Sequence, residues 1–136
     1  MVGVIFMVPS SDFDRVIIED RKTNAVVEAL NIFKAIIQSS KLRNCAIVVN
    51  FNKVDILVEK IKLKNIDEYL PNFVGDPRNI DDVKNFYINT FSAVVPEYLS
   101  PDFFFTNSLD RKNIKNTFNI IKQNVLNFNM KKLLHE

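Results

Sequence analysis

Only two glycines, Gly3 and Gly75, occur among 136 residues, and this scarcity constrains the chain more than any other feature. A loop that cradles phosphate converges several backbone N–H groups on one anion through conformations that a Cβ forbids, so it needs clustered glycines. Neither a G-x-x-x-x-G-K-Ser/Thr loop nor a G-x-G-x-x-G fingerprint can be written anywhere along this sequence. Whatever the chain binds, it does not hold phosphates in such a cradle.

Composition is otherwise that of one ordinary folded domain, with 47% apolar and 25% charged residues. The charges nearly cancel, 18 basic against 16 acidic, so no strong field recruits nucleic acid or an anionic membrane from a distance. Partner choice has to come from local sites, and nucleic acid is not expected among the partners. The one cysteine, Cys45, in a chain without a signal-peptide pattern points to a reducing, cytoplasmic setting and to a buried small hydrophobe. No apolar run approaches the roughly 18 residues of a spanning helix, and Gly3 stands one place too late for a myristoylation signal. His135 reads as a solvated chain end, with no cluster of metal-ligand spacing around it, so no zinc site is expected.

Short apolar runs alternate with helical patterns, which predicts an α/β domain with three parallel strands and flanking helices. Val2–Val8 is the first predicted strand; its unbroken apolar run predicts burial on both faces. A helix is expected from about Lys22 to Gln38, with Val26, Val27, Leu30, Phe33 and Ile37 forming its core stripe. Ala46–Phe51 is the second strand, and Asn52-Lys53-Val54-Asp55 follows it. Helical patterns come next near Asp55–Leu63 and Ile80–Val95, joined by a polar loop holding Pro71, Gly75 and Pro77. Phe103–Thr106 makes the third strand, and Asp110 caps a final helix whose stripe is Ile114, Phe118, Ile121, Val125 and Phe128. The first strand has nothing before it to cover its edge, so the sheet reads as the second part of a larger one.

Ligands of open α/β sheets bind outside the carboxyl ends of the strands, where Asn52, Lys53 and Asp55 are placed. Guanine offers two adjacent donors, N1–H and the exocyclic amine, and the two oxygens of the Asp55 carboxylate match them. Adenine has a lone pair at N1 and no amine at C2, so it leaves the same carboxylate without partners. Lys53 can lay its methylene stem along the base while its ammonium stays in water. Asn52 can either bond the O6/N7 edge or tie neighbouring loops together. The loop Thr106-Asn107-Ser108-Leu109-Asp110 closes the third strand, and its backbone N–H groups could donate to guanine O6. An N-K-x-D match alone is weak in a chain rich in Asn and Lys; its place after a buried strand, with a second polar loop ending the next strand, raises the odds. Asp12 and Asp14 stand in a turn before a helix, where such residues serve structure.

These blocks resemble the C-terminal half of heterotrimeric G-protein alpha subunits over all 136 positions. The resemblance rests on Ser11-Asp12-Phe13-Asp14, on Glu19-Asp20 with Asn24 and Glu28, on Asn52-Lys53-Val54-Asp55 followed by Glu59-Lys60-Ile61, and on Phe105-Thr106 with Asp110, Lys112 and Asn113. Small GTPases share N-K-x-D without this surrounding set. The resemblance implies the C-terminal part of a P-loop GTPase (Ras-like) three-layer fold, with residues 1–136 as one unit. It implies that Asn52, Lys53 and Asp55 read guanine and that Thr106, Asn107 and Ser108 belong to the second base-contacting loop, which here reads Thr-Asn-Ser-Leu where the family has Thr-Cys-Ala-Thr.

The resemblance also implies GTP/GDP as ligand, a G-protein-coupled receptor and beta/gamma subunits as partners, and a place at the inner face of the plasma membrane. The family's phosphate loop, catalytic arginine and glutamine, magnesium loop and helical domain correspond to positions upstream of residue 1. The chain by itself is therefore not expected to hydrolyse GTP, and its magnesium ligands are not expected here. In the family a receptor grips the C-terminal helix and its shift loosens GDP; only Leu109 and Asp110 separate Ser108 from the predicted start of that helix. A second expectation is a non-catalytic interaction module or decoy that binds receptor without nucleotide switching.

Overall fold

A computed structural model describes residues 3–39, 42 and 45–107. Strand β1 (Gly3–Pro9) runs into a 3-10 turn (Ser10–Asp14), followed by α1 (Ala25–Ile37) and β2 (Ala46–Asn52). Helices α2 (Val54–Lys60), α3 (Ile66–Tyr69) and α4 (Ile80–Ser92) lead to β3 (Asp102–Phe105). The three strands form one parallel sheet in the order β1-β2-β3, with Gly3 opposite Ala46 and Val48 opposite Asp102. This is the α/β arrangement that the alternating pattern predicts. The expected final helix from Asp110, and Ser108 before it, lie outside the described residues.

The sheet's helix-covered face carries Phe6 and Val8 of β1, Val49 and Phe51 of β2, and Phe103 and Phe105 of β3, all within one core cluster. Aromatic rings lock it. Phe33 of α1 meets Phe6 and Phe91 at centroid distances of 5.3 and 5.6 Å, and Phe51 meets Tyr87 and Phe91 of α4 at 5.4 and 5.3 Å. Phe103 and Phe105 stack on Phe51 from the neighbouring strand at 6.2 and 4.9 Å. Tilted and offset pairs of this kind add to the burial of the rings themselves. From the predicted stripe of α1, Val26, Phe33 and Ile37 are buried, whereas Val27 is 38% exposed. Cys45 is buried, as its apolar character predicts.

One expectation needs correction. Central β2 is enclosed on both faces, but β1 is an edge strand of the described sheet, and Ile5 and Met7 on its second face are 46% and 50% exposed. An apolar run fixes that a strand is present without fixing how many of its faces are covered.

Boundaries shift where side chains compete with the helix backbone. Helix α1 starts at Ala25 rather than near Lys22, because Asn24 caps it: its Oδ1 accepts from the N–H groups of Val26 and Val27 at 2.8 and 3.3 Å. The residues before it close a turn instead. Val16 bridges to Asn24, Arg21 takes a left-handed φ of 57°, and the Asp20 carboxylate accepts from the N–H groups of Lys22 and Thr23 and from the Thr23 hydroxyl. Helices α2 and α4 end at Lys60 and Ser92, short of the expected Leu63 and Val95. Helix α3, within the loop expected to be irregular, is a single turn of four residues, too short to leave a periodic signature. Gly75 lies in that loop at φ 126°, and a Cβ there would meet the Asp82 side chain at 3.1 Å, so a glycine is required.

Candidate functional site

The carboxyl ends of the three parallel strands meet in one polar knot. Asn52 is the last residue of β2, and its side chain turns back onto its own loop: Oδ1 accepts the Lys53 N–H at 2.9 Å. That contact accompanies a left-handed backbone at Lys53, φ 63°, which is uncommon for a residue with a Cβ and costs about 1–2 kcal/mol. The left-handed turn redirects the chain from strand to helix within one residue. Helix α2 therefore begins at Val54, with Asp55 in its first turn and partly exposed.

Thr106 joins the second loop to the first. Its Oγ1 lies 3.0 Å from Asn50 Oδ1 and 3.2 Å from Asn52 Oδ1, so its single proton is shared between two amide oxygens. Its N–H donates to the Phe51 carbonyl and its carbonyl accepts the Val54 N–H, both at 3.0 Å. Two backbone bonds and one hydroxyl thus tie the end of β3 to the turn after β2. Thr106 is itself buried, as is Asn50, whose Nδ2 faces Met7 Sδ at 3.5 Å.

A third strand end enters through Ser10. It is fully buried; its Oγ donates to the Asn52 carbonyl at 2.6 Å, and its own carbonyl accepts the Tyr87 hydroxyl from α4 at 2.5 Å. Burial pushes the Tyr87 phenol far above its ordinary range, and the negative charges of Asp12 and Asp14 push the same way. The hydroxyl therefore keeps its proton and remains a donor.

Beneath the site an ion pair fixes α2. Lys60 Nζ donates to Asp14 Oδ1 at 2.7 Å and to the Ser11 carbonyl at 2.6 Å, while Lys64 Nζ reaches Asp14 Oδ2 at 2.6 Å. The Lys60 ammonium also lies 5.7 Å from the centroid of the Phe13 ring. Burial alone would raise the Asp14 pKa, but the hydrogen bonds from Lys60 and Lys64 outweigh it and hold the carboxyl below its ordinary value. Asp12 pairs loosely with Arg15 at 3.9 Å. Both aspartates thus have structural partners, as their turn position predicts.

Of the residues that sequence places at the site, Asn52, Lys53, Asp55, Thr106 and Asn107 come together at the ends of β2 and β3; Ser108 lies outside the described residues. Asn52 ties loops through Oδ1. Sequence reading passes over Ser10, Asn50 and Tyr87. A tyrosine at a helical apolar position looks like plain core, and only its fully buried hydroxyl, which has to find an acceptor, could have marked it.

The family described as "G-protein alpha subunit" matches residues 1–125. The human guanine nucleotide-binding protein subunit alpha-12 is 36% identical over 135 residues, covering 98% of this chain and 35% of that protein. The alpha-12 subunit of Caenorhabditis elegans is 35% identical over 98% of this chain and 38% of its own length. Mouse subunit alpha-13 is 34% identical over 98% of this chain and 36% of its own. The chain thus spans a little over a third of the length of the curated relatives it matches.

Proposed function

The chain belongs to the G-protein alpha-subunit family, and on that premise we propose that it supplies the guanine-reading and receptor-coupling part of a GTP/GDP-dependent signal transducer. Residues 1–136 are then the C-terminal half of the family's GTPase domain. The observation that carries the reading is the Asn52 knot: the Asn52 side chain, the Thr106 hydroxyl and the Lys53 turn bring two strand-end loops together beside Asp55.

In this reading Asp55 accepts both guanine donors. The Lys53 stem covers the base, Asn52 Nδ2 faces the N7 edge, and O6 is met by backbone N–H groups of the loop that follows Thr106, beginning with Asn107, since the Thr106 N–H is already bonded to the Phe51 carbonyl. Adenine, with an acceptor where guanine donates and a donor where guanine accepts, meets mismatched groups at both edges. Unpaired polar groups in such a pocket penalise the wrong base more than any loss of contact area. Two glycines provide no phosphate cradle, so the base is the only part of the nucleotide these residues grip. Phosphoryl transfer and magnesium are assigned to none of them; among the described residues no group of three or more His, Cys, Asp or Glu could hold a metal ion.

The receptor and the beta/gamma subunits are the partners this reading names, with the segment from Asp110 onward as the receptor-coupled part. Its location would be the inner face of the plasma membrane through those partners; among the described residues no helix is long and apolar enough to cross a membrane. The test is a titration of the isotope-labelled chain with guanosine and adenosine monophosphates, followed by NMR. Guanosine monophosphate is expected to shift the amides of Lys53, Val54, Asp55 and Asn107, and adenosine monophosphate to leave them in place. Equal responses to both would overturn the reading.

A further inference from the structure

The base-reading turn is held from behind, by a residue that no motif marks. Tyr87 sits at the centre of α4 with its ring fully buried, 5.4 Å from Phe51 and 6.0 Å from Phe86. Ring packing explains an aromatic there but not a hydroxyl, since a phenylalanine would fill the same space without a polar group to satisfy. The hydroxyl has a definite target. It donates to the Ser10 carbonyl, Ser10 Oγ donates to the Asn52 carbonyl, and the Asn52 side chain accepts the Lys53 N–H. Every link is 2.9 Å or shorter, and the first two lie between residues 77 and 42 positions apart in sequence.

We propose that Tyr87 is a positioning residue for the base-reading loop: its hydroxyl fixes Ser10, and Ser10 fixes the carbonyl of Asn52, so that the left-handed turn at Lys53 is retained. The turn needs such support. A left-handed residue with a Cβ relaxes to an extended or right-handed backbone unless its surroundings over-determine it. Thr106 supplies one restraint from the β3 side through Asn52 Oδ1. Ser10 supplies the opposing one from the β1 side through the Asn52 carbonyl. Asn52 is thereby gripped at both its side chain and its backbone, from two different strand ends. Without the Tyr87 hydroxyl, Ser10 loses the contact that ties it to the helix layer, and the β1-side restraint on Asn52 slackens.

That the ordered turn serves guanine rests on the function proposed above, but its order is measurable with no nucleotide present. The experiment is amide hydrogen exchange by NMR on the 136-residue chain, comparing wild type with Tyr87→Phe, Ser10→Ala and the double variant. Tyr87→Phe is expected to speed exchange at Lys53 and Val54 by about tenfold, the net effect of one hydrogen bond, beyond any change at Phe33 and Ile37 in α1. Ser10→Ala should give the same local pattern, and the double variant should add nothing further. If Lys53 and Val54 change no more than Phe33 and Ile37, or if the two single effects add, Tyr87 is a core residue only and the proposal fails. A loop that loses order in these variants while the wild type ignores guanosine monophosphate would preserve the positioning role and defeat the guanine reading instead.

Discussion

The helix-covered face of the sheet and the carboxyl ends of its strands are built from the same three strands but held together by different forces. On the covered face, Phe6, Phe33, Phe51, Phe91, Phe103 and Phe105 interlock through rings, with centroids about 5–6 Å apart. At the strand ends Ser10, Asn50, Asn52 and Thr106 hold one another by directed hydrogen bonds, and a left-handed lysine is retained among them. Apolar packing is large in energy and tolerant of direction, whereas hydrogen bonds contribute about 1 kcal/mol each yet fix orientation. Stability and loop placement are therefore separable: damage to the face should unfold the chain, and damage to the ends should leave it folded with its loop misplaced.

Phe51→Ala should show the largest effect, because that ring touches Tyr87, Phe91, Phe103 and Phe105 at once. Truncation is expected to cost about 3–5 kcal/mol in urea denaturation, enough to abolish cooperative unfolding in a marginal domain. A loss below about 1 kcal/mol would show that the face is not the main source of stability.

Asp14→Asn comes next, at about 1.5–3 kcal/mol near neutral pH, since it removes the acceptor of both Lys60 and Lys64. The Asp14 carboxyl is held below its ordinary value of 3.8, so its contribution is present in full above that pH and is lost as pH falls through the folded-state value. Wild type and variant should therefore differ at pH 7 and draw together as the pH falls below 3.8, and a gap that does not narrow in acid would point to packing rather than charge.

Thr106→Val is expected to cost only about 1 kcal/mol in stability while weakening the guanosine monophosphate response, because it removes the hydroxyl that Asn50 and Asn52 share. Equal losses in both measurements would erase the distinction between face and ends. Lys53→Gly is the mildest test. Glycine removes the left-handed strain of about 1–2 kcal/mol but adds backbone entropy of about 0.5–1 kcal/mol to the unfolded chain. Thermal stability should stay level or rise slightly; a clear fall would mean that the lysine stem itself holds the turn.

Most of the fold was legible because its elements announce themselves by apolar runs and helical stripes. Strand ends fell within one residue or so, and Asn52, Lys53 and Asp55 stood after the strand that the pattern predicts. What stayed hidden has physical reasons. The exposed face of β1 depends on which neighbours cover it, and a strand's own sequence does not record that. The start of α1 was decided by Asn24 and Asp20 drawing backbone N–H groups into caps and a turn. Ser10 and Tyr87 carry no local signal, because Ser10 meets Asn52, and Tyr87 meets Ser10, only across 42 and 77 positions of sequence.

The most direct test of the guanine reading exchanges the base and its partner together. Asp55 presents two acceptors, whereas the amide side chain of an Asp55→Asn variant would present one acceptor and one donor, which suits xanthine, whose C2 carries a carbonyl oxygen in place of the amine. NMR titration of wild type and Asp55→Asn with guanosine, xanthosine and adenosine monophosphates compares all three bases at one site. The account predicts that wild type responds to guanine alone, that Asp55→Asn prefers xanthine, and that GDP binds the wild-type chain no tighter than micromolar for want of a phosphate cradle. An unchanged base preference in Asp55→Asn, or a wild-type chain that answers adenine as well as guanine, would contradict it.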